Sequence, residues 1–379
     1  MEPNQSLFIG AFTNLKYLNF SGSLLIGIIP PELGNLTKLD ILDLSSVYHS
    51  LSTNSFTWLS RLSNLRILKL NSCFTKAIDW FDSFRTAPSL LNLHLLHECE
   101  FPELDYDSTF SHTTTNSSTN SITTLEVVSR SSFGSTTVSR LLNLSNNLID
   151  LSLFLDNDDH IKDHIIPHTL GSLKSLRHLH LSGFVGEVPK FIGNLCKLQE
   201  LVLNYNTFNS STITDIFKSL IDCNSNSLEI LNLPHNNLTG QFVPIDIARI
   251  PNLKELDVSY NKFNGKWPES ISKLPSLELL YISGNSFSGV VYETHLHKLS
   301  KLEHLDLSYN SLTLKFGNNW VPSIQLQHLG LRSCMIGPHF PSWLQTQSNI
   351  SHIDLSYSGI SDTIPTWSFN TISSLNGQP

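Results

Sequence analysis

The sequence predicts an α/β solenoid, with a curved parallel β-sheet on its concave face and 3₁₀ or short helical segments on its convex side. Three observations predict it. Leucine fills 63 of 379 positions, yet charged residues make up only 15% of the chain, below the roughly 25% of ordinary soluble domains. The phrase L-x-x-L-x-L recurs as Leu253-Lys-Glu-Leu256-Asp-Val258, Leu277-Glu-Leu-Leu280-Tyr-Ile282, Leu302-Glu-His-Leu305-Asp-Leu307, Leu326-Gln-His-Leu329-Gly-Leu331 and Ile350-Ser-His-Ile353-Asp-Leu355. Asparagine returns eight residues after the start, at Asn206, Asn236, Asn261, Asn285 and Asn310.

The starts of those five phrases lie 24, 25, 24 and 24 residues apart. Earlier starts fall at Leu228, Leu198, Leu176, Leu148, Ile122, Leu90, Leu65, Leu39 and Leu15, giving about 14 units. A fixed period in this range marks stacked repeats. A start at Leu148, rather than within Leu142-Asn-Leu144, evens the spacing and makes residues 141–147 a closing turn. On this reading residues 1–14 are a partial preceding repeat. The array runs over 15–375, degenerate in 39–197 and regular in 198–375, and 376–379 is a truncated end.

Each position in the unit has a physical task. The last two leucines of the phrase are two apart, so they share one strand face while the residue between them points outward. One unit cannot bury that row alone, so copies stack. A buried asparagine amide can satisfy backbone groups that the turn leaves unpaired. An apolar residue, Gly and Pro follow, as in Phe263, Gly265 and Pro268, and they suit the bends of the return path. The asparagine row is uneven: Ser23, Val47, Cys73, Arg130, Asp156 and Phe184 replace it in the N-terminal half.

Composition removes several function classes. The longest apolar run, around Leu24 to Ile29, is broken by Gly27 and closed by Pro30, far short of the ~20 residues of a spanning helix. A net charge of −8 without a Lys/Arg cluster argues against nucleic acid as a partner. The first ten residues lack the basic and apolar regions of a secretory signal. No nucleophile elbow, zinc-protease, P-loop, dinucleotide-binding or kinase motif occurs, so no catalytic residue and no cofactor are expected. His94-x-x-His97-x-Cys99 diverges on this repeat and is not expected to enclose a metal. Asp156-Asn-Asp-Asp159 lacks the glycine and distal glutamate of a calcium loop.

The unit L-x-x-L-x-L-x-x-N-x-[LF]-x-G-x-[IVW]-P resembles the plant-type extracellular leucine-rich repeat. Phrases such as Leu305-Asp-Leu-Ser-Tyr-Asn310 and Phe191-Ile-Gly-Asn-Leu195 resemble plant cell-surface receptor-like proteins, a group that includes receptors for fungal xylanase elicitors. The likeness covers about residues 15–370. It implies a right-handed solenoid and non-catalytic recognition of a peptide, protein or glycan elicitor at the extracellular side of the plasma membrane. It also implies a co-receptor or partner kinase in the full-length protein. The signal peptide, paired-cysteine cap and membrane helix of a complete receptor are not found, so the chain reads as a fragment. A soluble inhibitor of a wall-degrading enzyme and a truncated non-functional copy are the alternatives.

Outward strand positions should align in columns across the sheet. The expected binding residues are Tyr205, His235, Glu255, Asp257, Tyr260, Tyr281, His304, Asp306, Tyr309, His328, Arg332, His352, Asp354 and Tyr357. Tyrosine and histidine offer rigid contact area with polar tips; the same residues could equally be repeat consensus. Cys73 and Cys334 take the asparagine position, where a small buried thiol fits. Cys196 and Cys223 sit in loops before consecutive units, which stacking brings within bridging range, so both a disulfide and free thiols remain open. Glycosylation sequons occur at Asn35, Asn116, Asn143, Asn209, Asn237 and Asn349, and also at Asn4 and Asn19.

Overall fold

The computed structural model describes residues 9–45, 50–73, 76–97, 121–129, 135–155, 165–208, 213–221, 223, 227–241, 247–317 and 319–367. Two units divide the chain, Met1–Val185 and Gly186–Pro379.

In the first unit, seven parallel strands follow one another in chain order: Tyr17–Asn19, Ile41–Ser45, Ile67–Cys73, Asn92–His97, Thr124–Ser129, Asp150–Leu155 and His178–Ser182. In the second, the strands are Glu200–Val202, Ile230–Asn232, Glu255–Asp257, Leu279–Tyr281, His304–Asp306, His328–Gly330 and His352–Asp354, again parallel and consecutive. Every one of these strands opens two residues after a sequence-assigned start, Leu148 included. The residue pairing that follows is uniform, for example Leu256 beside Leu280 and Leu280 beside Leu305.

The same leucine spacing also builds the return path. Leu33, Leu36 and Leu39 are three apart, as are Leu170, Leu173, Leu176 and Ile271, Leu274, Leu277. A 3₁₀ helix has three residues per turn, so each such row lies on one face. All nine side chains are buried. The helices Pro31–Asn35, His168–Ser172 and Glu269–Lys273 follow Pro30, Pro167 and Pro268 respectively. The proline carbonyl accepts the first turn bond, as in Leu33 N–H to Pro30 O at 3.1 Å. In other units the return path holds an α-helix instead, at Trp80–Thr86, Ser135–Leu142, Ile213–Ile221 and Glu293–Leu296.

The second unit carries an additional parallel sheet on this side, in the order Thr239–Gln241, Lys262–Lys266, Ser286–Tyr292, Ser311–Lys315. Phe263 and Phe287 stand at one offset in successive repeats and are fully buried beneath it. Among the described residues, no helix is long and apolar enough to cross a membrane.

Candidate ligand-binding face

The outer side of the second unit's main sheet is assembled by register. Glu255, Leu279, His304, His328 and His352 pair in one column. Asp257, Tyr281, Asp306, Gly330 and Asp354 form the next. Pleating turns both columns away from the leucine core.

The three histidines stack on one another. His304 and His328 have ring centres 5.7 Å apart, and His328 and His352 lie 4.5 Å apart with nearly parallel planes. Tyr281 flanks the row, with its hydroxyl 2.8 Å from Nδ1 of His304. Burial, then the carboxylates of Glu255, Asp257 and Asp306, pushes the Tyr281 phenol up to about 12. It therefore stays protonated, and the tautomer of the His304 ring decides which of the two groups donates. Burial lowers the pKa of His328 first, and His352 and His304 lower it further against the opposing pull of Asp306.

The aspartates of the second column face inward along their own strands. Asp257 Oδ1 accepts from Ser259 N–H at 2.8 Å and Ser259 Oγ at 2.6 Å. Asp306 and Asp354 accept likewise from Ser308 N–H and Ser356 N–H. The Asp-x-Ser phrase thus orders the strand exit, and burial raises the Asp257 pKa. Gly330 belongs to this column for a steric reason. A Cβ there would lie 2.3 Å from Asp306 Oδ1 and 2.9 Å from Ser308 Oγ.

A third column stands at the strand exits, at Tyr205, His235, Tyr260, Tyr309 and Tyr357. All five have positive φ, between 52° and 57°. Gly284 and Ser333 occupy the same offset and are also left-handed, at 64° and 63°. Contact area alone is expected of this column from the sequence; a left-handed backbone is not expected of tyrosine. The presence of Gly284 at the same offset was the available signal. Tyr205, His235 and Tyr260 stack face to face with centres 4.6 and 4.5 Å apart, so these rings offer edges and hydroxyls rather than faces. Further along, the Arg332 guanidinium lies between two rings, 5.4 Å from the centre of Tyr309 and 4.8 Å from that of Tyr357. Its Nη1 is 3.9 Å from Asp354, and its buried Nε has no hydrogen-bond partner among the described residues. Glu255 is engaged by Asn232 at 2.8 Å.

Behind this face runs an amide ladder. Asn261 Nδ2 donates to Leu233, Val258 and Ser259 carbonyls, and its Oδ1 accepts from Leu238 N–H. Asn285 and Asn310 repeat the pattern, accepting from Phe263 N–H and Phe287 N–H. Asn236 donates to Leu203, Leu233 and Pro234 carbonyls. Asn206 donates to Asn204 O at 3.1 Å. Cys334 replaces the amide with a thiol that donates to Leu307 O at 3.2 Å.

Cys196 and Cys223 form a disulfide. Asn19, Asn35, Asn143 and Asn349 are exposed and Asn237 is half-buried. Asn4, Asn116 and Asn209, the Asp156–Asp159 tract and Cys99 lie outside the described residues, as do the side chains of Cys73 and His97. His94 pairs with Glu126 at 2.6 Å across neighbouring strands. Among the described residues, no cluster of three or more His, Cys, Asp or Glu is placed to hold a metal ion.

Residues 126–362 match the family described as a leucine-rich repeat region, and residues 14–36 match a single leucine-rich repeat. The receptor-like protein EIX1 of Solanum lycopersicum is 32% identical over 95% of this chain and 41% of its own length. EIX2 of the same plant is 31% identical over 78% of this chain and 35% of its own length. The chain therefore spans well under half of either relative. A leucine-rich repeat protein of Leptospira interrogans shares the fold, with a TM-score of 0.59 at 19% identity, covering 99% of this chain and 97% of its own. A TDR receptor structure matches with a TM-score of 0.56 at 20% identity, over 92% and 65% of the two chains. The chain belongs to the leucine-rich repeat family, and its sequence resembles the plant receptor-like proteins within it.

Proposed function

We propose that this chain is part of the ligand-recognition ectodomain of a plant cell-surface receptor, and that it acts without catalysis. The full-length protein is held at the plasma membrane with this region outside, and a co-receptor or partner kinase carries the signal inward. The ligand is a peptide, protein or glycan elicitor. It contacts the outer sheet face of the second unit, where Tyr281, His304, His328, His352, Tyr309, Arg332 and Tyr357 converge.

One observation carries the reading. Arg332 is held between Tyr309 and Tyr357, with Nε unpaired among the described residues, beside the stacked histidines. Rigid sheet positions hold recognition groups more accurately than loops, and Arg and Tyr are the side chains that most often anchor interfaces.

The test uses fungal xylanase as first probe. Binding to the intact chain is measured by interferometry, alongside Arg332→Ala and the triple variant His304→Gln, His328→Gln, His352→Gln. The expected result is saturable binding that both variants weaken, while bound xylanase still hydrolyses xylan. Binding unchanged in both variants removes the sheet face as the site. Loss of hydrolysis on binding turns the reading to an enzyme inhibitor.

A further inference from the structure

We infer that a cleft on the opposite side of the second unit, at the end of strand Ser311–Lys315, docks a short extended segment of a partner polypeptide. This site is separate from the outer sheet face.

The strand Ser311–Lys315 is the last of the additional parallel sheet. Among the described residues its free edge is paired once, through a parallel bridge between Thr313 and Met335. Met335 N–H donates to Leu312 O and Leu314 N–H donates to Met335 O, both at 2.8 Å. A parallel ladder continues when the next chain residue but one donates to Leu314 O and accepts from Phe316 N–H. Here that continuation is missing. Ile336 and Gly337 N–H groups turn away to Ser358 O, at 2.9 and 3.1 Å. Leu314 O and Phe316 N–H point to the same side, and neither has a protein partner among the described residues.

The divergence opens a cleft of about 530 Å³ between residues 313–317 and 336–343. Its apolar wall is aromatic: Phe316 meets Trp343 edge-on at 5.6 Å, and Phe340 also lines it. Both charge signs occur at the lip. Lys315 lines it, His339 is paired with Asp362 at 3.4 Å, and Glu293 approaches Gly317. The lip therefore selects no strongly charged ligand.

The occupant follows from the unmet groups. A carbonyl and an N–H two residues apart on one strand edge match one residue of an extended main chain, as in recognition by strand addition. At roughly 3.3 Å per residue, the opening from Leu314 to Gly317 accepts a segment of about three to five residues. One apolar side chain of that segment would pack against the aromatic lining that includes Phe316 and Phe340.

The experiment uses the intact chain and synthetic peptides acetyl-Thr-Val-X-Val-Thr-amide, with X as Val, Leu, Phe or Trp. Matched peptides carry N-methyl groups on the amides that would join the ladder. Hydrogen exchange of residues 312–317 is followed by mass spectrometry. At saturating peptide, Phe316 N–H exchange should slow by about tenfold or more, since an unpaired amide gains an acceptor. The methylated peptides should give no protection, and Phe340→Ala should weaken the effect of the parent peptides. Absent protection overturns the proposal, as does equal protection by the methylated set. Protection appearing at residues 304–306 and 328–330 instead also overturns it, and leaves the sheet-face reading standing. Protection that grows with protein concentration alone makes a second copy the occupant and overturns the partner segment.

Discussion

The side-chain amide of Asn261 reaches the carbonyl of Leu233, 28 residues earlier, at 2.8 Å. The same amide also serves its own turn and accepts from Leu238 N–H at 3.2 Å. Replacing it by leucine strands the Leu238 N–H and leaves the Leu233, Val258 and Ser259 carbonyls with one donor each, from Asn236, Asn285 and His235 N–H. Asn261→Leu should therefore lower stability by about 1–3 kcal/mol for the loss of buried hydrogen bonding. Chemical denaturation with an unchanged slope would measure it; a wild-type midpoint would remove the ladder from the stability argument.

Gly330 tests the packing of the aspartate column. A Cβ at this position would lie 2.3 Å from Asp306 Oδ1 and 2.9 Å from Ser308 Oγ, so these side chains must shift. Gly330→Ala should cost about 1–3 kcal/mol by overpacking, and should displace Asp306 from its bond to Ser308 N–H. The combined change Gly330→Ala with Asp306→Ala should recover most of the loss. If the single change is silent in thermal unfolding, the column is looser than described.

The disulfide closes a segment with sequence separation 27. The chain-entropy relation gives about 3.5 kcal/mol for a loop of that length. Cys223→Ser should destabilise the second unit by a similar amount, and reduction of the parent protein should match it. Equal melting of reduced and oxidised protein would show the bridge to be thermodynamically idle.

Cys334 provides a chemical probe. Burial, and then the charge of Asp306, pushes its thiol up to about 12. An unfolded cysteine titrates near 8.5, so the raised value stabilises the fold fully below about pH 8.5, and that contribution is lost as pH rises toward 12. Iodoacetamide at pH 8.5 should label Cys334 more than about a hundredfold more slowly in folded than in unfolded protein, because the thiolate reacts. Rapid native labelling of the Cys334 peptide would place the thiol at the surface.

His328 sets an acid limit. Its pKa is lowered by burial and by His352 and His304, while Asp306 raises it. The unfolded chain, near 6.5, takes up the proton before the folded one does. The stability tied to neutral His328 is thus complete above about pH 6.5 and declines as pH falls through the lowered folded value. Urea midpoints taken from pH 7.5 to 4.5 should fall less in His328→Gln than in the parent. Parallel curves would mean that the stacked ring bears no proton linkage.

The repeat itself determined the fold. Leucines at fixed offsets place strand, turn and 3₁₀ row in every unit, because residues two apart share a strand face and residues three apart share a 3₁₀ face. Register followed as well: starts read from the sequence put His304, His328 and His352 in one column, as the pairing has them. What the tertiary structure alone decided is how the side chains in those columns use their freedom. Arg332 turned between Tyr309 and Tyr357, three of the exit rings stacked on one another, and the aspartates turned back to their own serines. None of this is periodic, since each choice depends on which neighbour stands one rung away. The open edge at Leu314 and Phe316 is of the same kind. It exists because Ile336 and Gly337 donate to Ser358 rather than continue the ladder, a competition between two chain segments that leaves no mark in the spacing of leucines.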